Sequence, residues 1–193
     1  LFAGAPIVDP LRRTSNARIL YAGDEAEETS RGGIAERDAE IAGHNAARPD
    51  APIATPDVPP MTIVFTDPPY ARVGVDETTA RVRLGEILVA SRRFDAGGLM
   101  RIWTDRRGKL LGGEVVGPEG DLLVHLLSYA IHFGATADDI RRAEHGPKTL
   151  AETLWGLADG IAKATGSTSP AARARTETPV RATLCHDGVN RRS

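Results

Sequence analysis

The sequence predicts an α+β fold, in which an antiparallel sheet is flanked by helices, over residues 61–163. Strand-like segments form one block between residues 62 and 116, and helical patterns form a second block between residues 121 and 163. Strands in one block and helices in the next favour this layered arrangement over alternating βαβ units. The chain of 193 residues has no internal repeats and fits one such domain with additional segments.

The N-terminal segment is predicted to form a separate small unit. Residues 18–22 (RILYA) predict a short buried strand that ends at Gly23-Asp24, and residues 33–47 predict a helix containing Ile41. A unit of this size, residues 1–47, is too small to fold by itself. Five prolines in residues 48–60 then indicate a linker, because proline removes backbone donors and extends its neighbours.

The strands of the main domain are predicted from short β-branched or alternating runs between turn residues. They are residues 62–65, 70–75, 86–90, 99–104 and 110–116. Asp76 is placed to cap a helix over residues 77–84, since its carboxylate can accept the free amides of a first turn. The polar turn at residues 105–108 predicts a hairpin between the last two strands.

The helices follow from a change to helical spacing. Residues 121–133 are apolar on two adjoining lines, one through Leu122 and Leu126, so this helix is predicted to be buried or to pack on a partner subunit. A short helix is predicted from Thr136 to residue 143. The last helix, residues 149–163, has four apolar residues at spacings of 4, 3 and 4: Leu150, Leu154, Leu157 and Ile161.

Composition limits the classes of function. A net charge of -2 argues against a generally basic nucleic-acid-binding protein, and no apolar run is long enough for a membrane span. The only cysteine, Cys185, excludes an internal disulfide framework and a CxxC site. The five histidines form no metal-binding pair at i, i+4, so no metal site is expected.

The ends of the chain add two expectations. Residues 164–193 lack large apolar residues and periodicity, which predicts a disordered tail; it holds Cys185 and a small excess of arginine. The sequence begins with Leu1 and has no signal-peptide pattern, which we interpret as a cytoplasmic piece of a larger protein.

Two places could carry chemistry. At the first, Asp24 follows a predicted strand end and could accept hydrogen bonds from the hydroxyls of a bound ribityl or ribose chain; the alternative is that Gly23-Asp24 is only a turn. At the second, His145 could act as a general base beside a carboxylate such as Glu152. The alternative there is a capping box, in which Thr149 and Glu152 satisfy each other's backbone amides.

Four segments carry a resemblance to a known family. Residues 13–24 (RTSNARILYAGD), 35–46 (AERDAEIAGHNA), 64–74 (VFTDPPYARVG) and 111–118 (LGGEVVGP) occur in this order. They resemble the C-terminal part of FAD-dependent pyridine nucleotide–disulfide oxidoreductases, the family of dihydrolipoamide dehydrogenase, glutathione reductase and mercuric reductase. The third segment is the most specific, and the resemblance covers about residues 6–163.

The resemblance implies a homodimer formed through residues 61–163, preceded by a remnant of an α/β FAD-binding domain. It implies that Gly23 and Asp24 contact FAD and that Ala35 lies near the isoalloxazine ring. It also implies that His145 and Glu152 correspond to an H-P-T-x-x-E motif that completes the partner's disulfide site. With Thr149 and Glu152 aligned to that motif, Pro147 occupies the histidine position and His145 lies two residues earlier.

The family's chemistry moves a hydride between NAD(P)H and flavin and moves electrons between flavin and a disulfide. Neither a GxGxxG motif for FAD or NAD(P) nor a Cys-x4-Cys pair occurs in these 193 residues. The chain by itself is therefore expected to be inactive and to bind no FAD tightly. Two other interpretations remain open: a non-enzymatic dimerisation module or degenerate family member, and an unrelated α+β binding domain.

Overall fold

A five-stranded antiparallel sheet forms the centre of the molecule. The computed structural model describes residues 6–23, 35–94 and 97–166. The strands are β1 (Met61–Val64), β2 (Tyr70–Gly74), β3 (Leu88–Phe94), β4 (Gly98–Thr104) and β5 (Leu110–Val116), and their order in the sheet is β1-β2-β5-β4-β3. The predicted α+β class and antiparallel sheet are confirmed. The third strand differs most from prediction, since it begins and ends later than residues 86–90.

Five helices occur in the described residues. They are α1 (Ala35–Ala47), α2 (Glu77–Leu84), α3 (Gly120–His132), α4 (Ala137–Arg142) and α5 (Ala151–Ala164). Helix α3 packs on β1, β2 and β5, whereas α5 packs on β3 and β4, with α4 against it. The predicted cap of α2 is confirmed, because Asp76 accepts from the Thr79 amide. The short helix predicted from Thr136 is α4, and Thr136 and Asp139 form a capping box at its start.

The core lies between one face of the sheet and helices α3 and α5. Alternation along the strands points Val73, Ile102 and Val115 into this layer, where each is at most 1% exposed. The predicted spacing of α5 is confirmed, since its residues 154, 157 and 161 are buried there and Leu150 is partly buried.

Only one side of α3 enters the core. Leu123 and Leu127 are buried under the sheet, but Leu122 and Leu126 are exposed. The helix was predicted either to be buried or to pack on a partner subunit. The structure buries one of its two apolar lines and leaves the other uncovered. The reason is geometric, because a single sheet can cover only one side of a helix.

The predicted buried strand at residues 18–22 is wrong. Ile19 is 54% exposed, and the segment folds back on itself: Tyr21 donates its amide to the Arg12 carbonyl, and Thr14 donates to Ile19. Only one isolated bridge, between Arg13 and Leu20, has strand character. No further strand lies alongside it in the part of the chain that the structure describes, so a ladder does not form.

Residues 48–60 contain neither helix nor strand, yet they are attached to α1. The Asn45 side chain donates to the carbonyls of Leu11 and Ile53 at 2.9 Å and accepts from the Ile53 amide at 2.8 Å. This amide therefore joins the N-terminal loop, α1 and the proline-rich segment. The division into domains at residues 47 and 60 stays a prediction.

Three predictions fall outside the described residues. These are the placement of Asp24, the first two residues of the helix predicted at 33–47, and the tail from residue 167, which includes Cys185. None of the helices in the described ranges combines the length and apolar character that crossing a membrane requires.

Candidate functional site

The residues of the second predicted site lie at the start of α5, with Glu152 in its first turn and His145 in the segment before it. The Glu152 carboxylate accepts a hydrogen bond from the Lys148 amide at 2.9 Å. The Thr149 hydroxyl donates instead to the Gly146 carbonyl at 2.8 Å, and Leu150 is the N-cap without a side-chain bond. The predicted Thr149–Glu152 capping box is therefore wrong. Lys148 has a φ of 61°, which turns the chain before the helix and leaves the threonine hydroxyl within that turn.

The His145 ring lies on the indole of Trp155. Their centroids are 4.6 Å apart and their planes differ by 21°, which is a stacked arrangement. The indole is itself fixed, since Trp155 Nε1 donates to the Arg141 carbonyl at 2.8 Å. In the described part of the chain, no hydrogen bond is found between His145 and Glu152. The structure thus brings the two residues to one end of α5 without forming an acid–base pair.

The first predicted site is described only in part. Gly23 has a φ of 150°, and a Cβ there would lie 2.9 Å from the Tyr21 hydroxyl, so a side chain fits only if Tyr21 moves. Ala35 is the first residue of α1, and Asp24 lies outside the described residues. These positions supply no phosphate-binding loop and no hydroxyl-binding carboxylate that the structure describes.

A charged cluster on the sheet face away from α3 and α5 was missed by sequence reasoning. The Arg101 guanidinium donates to Glu114 at 2.8 Å and to Glu77 at 2.5 Å, and the Tyr70 hydroxyl donates to Glu114 at 3.1 Å. Arg81 also donates to Glu77, at 2.8 Å and 3.0 Å. The two arginines and the two glutamates of this cluster, with other residues but without Tyr70, line an open cavity of about 470 Å³ beside α2.

The cluster shifts the ionisation of its members. Hydrogen bonds from Arg81, and then the charge of Arg101, lower the pKa of Glu77 despite its partial burial. The hydrogen bond to Glu114 raises the pKa of Arg101, while burial and the Glu114 charge raise the pKa of Tyr70. Because these cations and carboxylates bind one another, the cluster fastens α2 to the sheet. The sequence signal for this cluster is the opposite charge of Arg101 and Glu114, which pair across β4 and β5. This pairing can be recognised only when the order and register of the strands are known.

The uncovered side of α3 is an apolar feature of the surface. Four side chains form what we call the α3 stripe, with exposures of 44% to 79%: Leu122, Leu126, Tyr129 and Phe133. Every exposed residue within α3 itself is Leu, His or Tyr. An ordinary solvent-facing helix side carries charged residues instead. The α3 stripe therefore has the character of a contact surface.

Metal chemistry finds no support in the described part of the chain. No group of three or more His, Cys, Asp or Glu side chains is found there with the arrangement to hold a metal ion.

Comparison with known proteins adds a family match. The model of the pyridine nucleotide-disulphide oxidoreductase dimerisation domain matches residues 60–158. Dihydrolipoyl dehydrogenase of Haloferax volcanii is 31% identical over 164 residues, which are 79% of this chain and 34% of that enzyme. Mycothione reductase of Mycobacterium tuberculosis is 27% identical over 174 residues, or 80% of this chain and 38% of that enzyme.

A solved structure agrees in fold. The HOCl-induced flavoprotein disulfide reductase RclA of Escherichia coli superposes with a TM-score of 0.68 at 20% identity, over 82% of this chain and 39% of that one. The chain thus spans little more than a third of the length of the relatives that it matches.

Proposed function

Because the chain belongs to the pyridine nucleotide-disulphide oxidoreductase family through its dimerisation domain, we propose that residues 61–163 form the subunit contact of an FAD-dependent NAD(P)H–disulfide oxidoreductase. In the complete enzyme, NAD(P)H would reduce the flavin, and the flavin would pass electrons to a disulfide. The 193 residues contain no dinucleotide-binding GxGxxG motif and no Cys-x4-Cys pair. The proposed role of this chain is therefore structural support plus a contribution to the partner's site.

The α3 stripe is the observation that carries the proposal. Its residues, Leu122, Leu126, Tyr129 and Phe133, have spacings of 4, 3 and 4, and this sequence of spacings reads the same in both directions. Two antiparallel copies of the helix can therefore place Leu122 against Phe133 and Leu126 against Tyr129 across a two-fold axis. Such self-complementarity is what a symmetric homodimer contact requires.

The beginning of α5 would supply the contribution in trans. The Lys148 amide fixes the Glu152 carboxylate, and His145 is the nearest imidazole in sequence. In the proposed role, the His145 ring exchanges a proton with a thiol of the partner's disulfide site. Glu152 orients that ring once it has left the Trp155 indole. Gly23, Asp24 and Ala35 would belong to the edge of the FAD site in the complete enzyme.

A second candidate function is a dimerisation module without catalysis. The observation that favours it is the stacking of His145 on Trp155 at 4.6 Å, together with Pro147 at the family's histidine position. In this case the chain keeps the subunit contact and has lost the acid–base residue. Neither candidate requires nucleic acid or a membrane as partner.

Sedimentation equilibrium of the purified chain tests the shared part of both proposals. We expect a mass twice the 20.6 kDa of one chain; a monomer at micromolar concentration would refute the subunit contact. Incubation with FAD should give no stoichiometric yellow protein, and a bound flavin spectrum would contradict the proposal that the FAD site lies mostly elsewhere.

The two candidate functions can be distinguished in an enzyme that contains this chain together with its flavin domain. For the catalytic role, His145→Gln should abolish NAD(P)H-dependent disulfide reduction while the dimer persists. For the degenerate module, the unchanged enzyme should already be inactive, and Pro147→His with Lys148→Pro should create activity.

A further inference from the structure

Two histidines lie inside the exposed side of α3. His125 and His132 are seven residues apart, which is close to two helical turns, so both lie on the same flank of the α3 stripe. Both are exposed in the single chain. The side that would be covered by a second copy therefore contains two imidazole rings.

We propose that protonation of His125 and His132 dissociates the α3 contact between two copies of this chain, so that the dimer is controlled by pH. This inference rests on the proposed dimer and adds its regulation. Both imidazoles are suited to an apolar contact only when neutral, because burying a charged ring without a partner is costly.

The hydrogen-bonding state of His125 supports this assignment. Its Nδ1 lies 2.6 Å from the Asp121 carbonyl oxygen, which can only accept, so Nδ1 must carry the hydrogen. In the proposed switch, Nε2 of the neutral ring is the atom that accepts the additional proton. His132 contacts the ring of Phe133, a member of the α3 stripe, at a centroid distance of 5.1 Å.

The antiparallel pairing brings the histidines of the two copies together. When Leu126 of one copy lies opposite Tyr129 of the other, His125 lies opposite residue 130 of the other copy. His125 is then two residues, or about 3 Å along the helix axis, from the second copy's His132. The two-fold axis places the same flank of each helix on the same side of the helix pair, so His125 of one copy and His132 of the other approach each other. Protonating both would place like charges side by side in a region that has lost its water.

Other charged groups offset this repulsion only in part. On α3, Asp121 lies one turn before His125 and on the same flank; it supplies one carboxylate against two imidazoles. The strands packed under α3 direct only apolar or glycine residues toward it, namely those at positions 61, 63, 71, 73, 113 and 115. Lys109, in the bridge to Thr136 after the helix, adds positive charge. The balance at low pH is therefore repulsive.

Sedimentation velocity of the full chain across a concentration series tests the proposal. Between about pH 8 and about pH 5.5 at constant ionic strength, we expect the dimer dissociation constant to rise at least about tenfold. The double variant His125→Gln/His132→Gln should remain dimeric with a nearly constant dissociation constant. His44→Gln, a matched change on α1, should keep the pH dependence of the unchanged chain.

Circular dichroism at each pH must show the same folded state, so that dissociation is separated from unfolding. An unchanged dissociation constant between the two pH values would overturn the proposal, as would a pH dependence that persists in the double variant. A dimer at both pH values would leave the proposed subunit contact intact. A monomer at both would overturn the contact and its regulation together.

Discussion

Arg12 and Asp38 form a buried ion pair between the N-terminal loop and α1. The Arg12 guanidinium lies 3.0 Å from the Asp38 carboxylate, and the two side chains are 2% and 0% exposed. Arg12 has a φ of 66°, and its Nε donates to the Tyr21 carbonyl at 3.1 Å. This pair holds the loop that ends at Gly23 against the helix that begins at Ala35.

Asp38→Asn should detach this loop from α1. The change leaves the Arg12 charge buried without a counter-charge, which costs about 3–5 kcal/mol. Hydrogen exchange followed by mass spectrometry should show loss of protection in α1. Glu86→Gln, in the exposed pair with Arg106, is the control and should change stability by less than about 1 kcal/mol. Equal effects of the two changes would show that burial of the pair is irrelevant.

Gly74→Ala should destabilise the sheet severely. A Cβ at residue 74 would meet the Leu111 carbonyl oxygen at 2.2 Å, and the φ of 83° is itself unfavourable for alanine. Gly85→Ala is the matched control, because its φ is 76° and nothing lies within 4 Å of its Cβ.

Urea denaturation measures the difference between the two glycine variants. We expect a loss of about 1–2 kcal/mol for Gly85→Ala and at least about 3 kcal/mol for Gly74→Ala. If the two variants lost equal stability, close approach of β2 to β5 would not be the cause.

Glu77→Gln should weaken the attachment of α2 in a pH-dependent way. The pKa of Glu77 is below its ordinary 4.5 in the folded chain. Its stabilising contribution is therefore present above pH 4.5 and is lost as the pH falls through the folded-state value. At neutral pH we expect a loss of about 1–2 kcal/mol relative to the unchanged chain.

That loss should shrink as both proteins are brought below about pH 4, in chemical denaturation at several pH values. Glu86→Gln is again a suitable control, since Glu86 is an exposed carboxylate outside the cluster. A loss that stayed constant down to acid pH would rule out the Glu77 charge as its source.

Leu126→Glu should convert the proposed dimer to monomer. A carboxylate in the centre of the α3 stripe would be buried without a counter-charge, so the dissociation constant should rise by at least about a hundredfold. Val82→Glu on α2 is the control, because Val82 is also an exposed apolar residue, at 81%. Analytical ultracentrifugation should find that only the α3 variant dissociates; the opposite result would move the contact to α2.

Much of the fold could be predicted from short-range patterns. The cap at Asp76, the capping box at Thr136 and the spacing of Leu154, Leu157 and Ile161 depend on residues within a few positions of one another. Gly74 ends the segment that is most specific to the family, and the structure shows why a glycine is needed there, since a side chain would collide with the Leu111 carbonyl. At the candidate site, it was predictable that His145 and Glu152 lie near the start of the last helix, but their contacts were not.

The sequence by itself determined the class of fold, the order of the helices and strands in residues 61–163, and the family, because each follows from local propensity and from motifs read in order. The tertiary structure decided which side of α3 is covered, which residue opposes Asp38, that Arg101 meets Glu77 and Glu114, and that His145 lies on Trp155. Those outcomes depend on how separate elements approach one another. The spacing of apolar residues shows which sides of a helix can be buried. Only the position of the sheet decides which of those sides is buried.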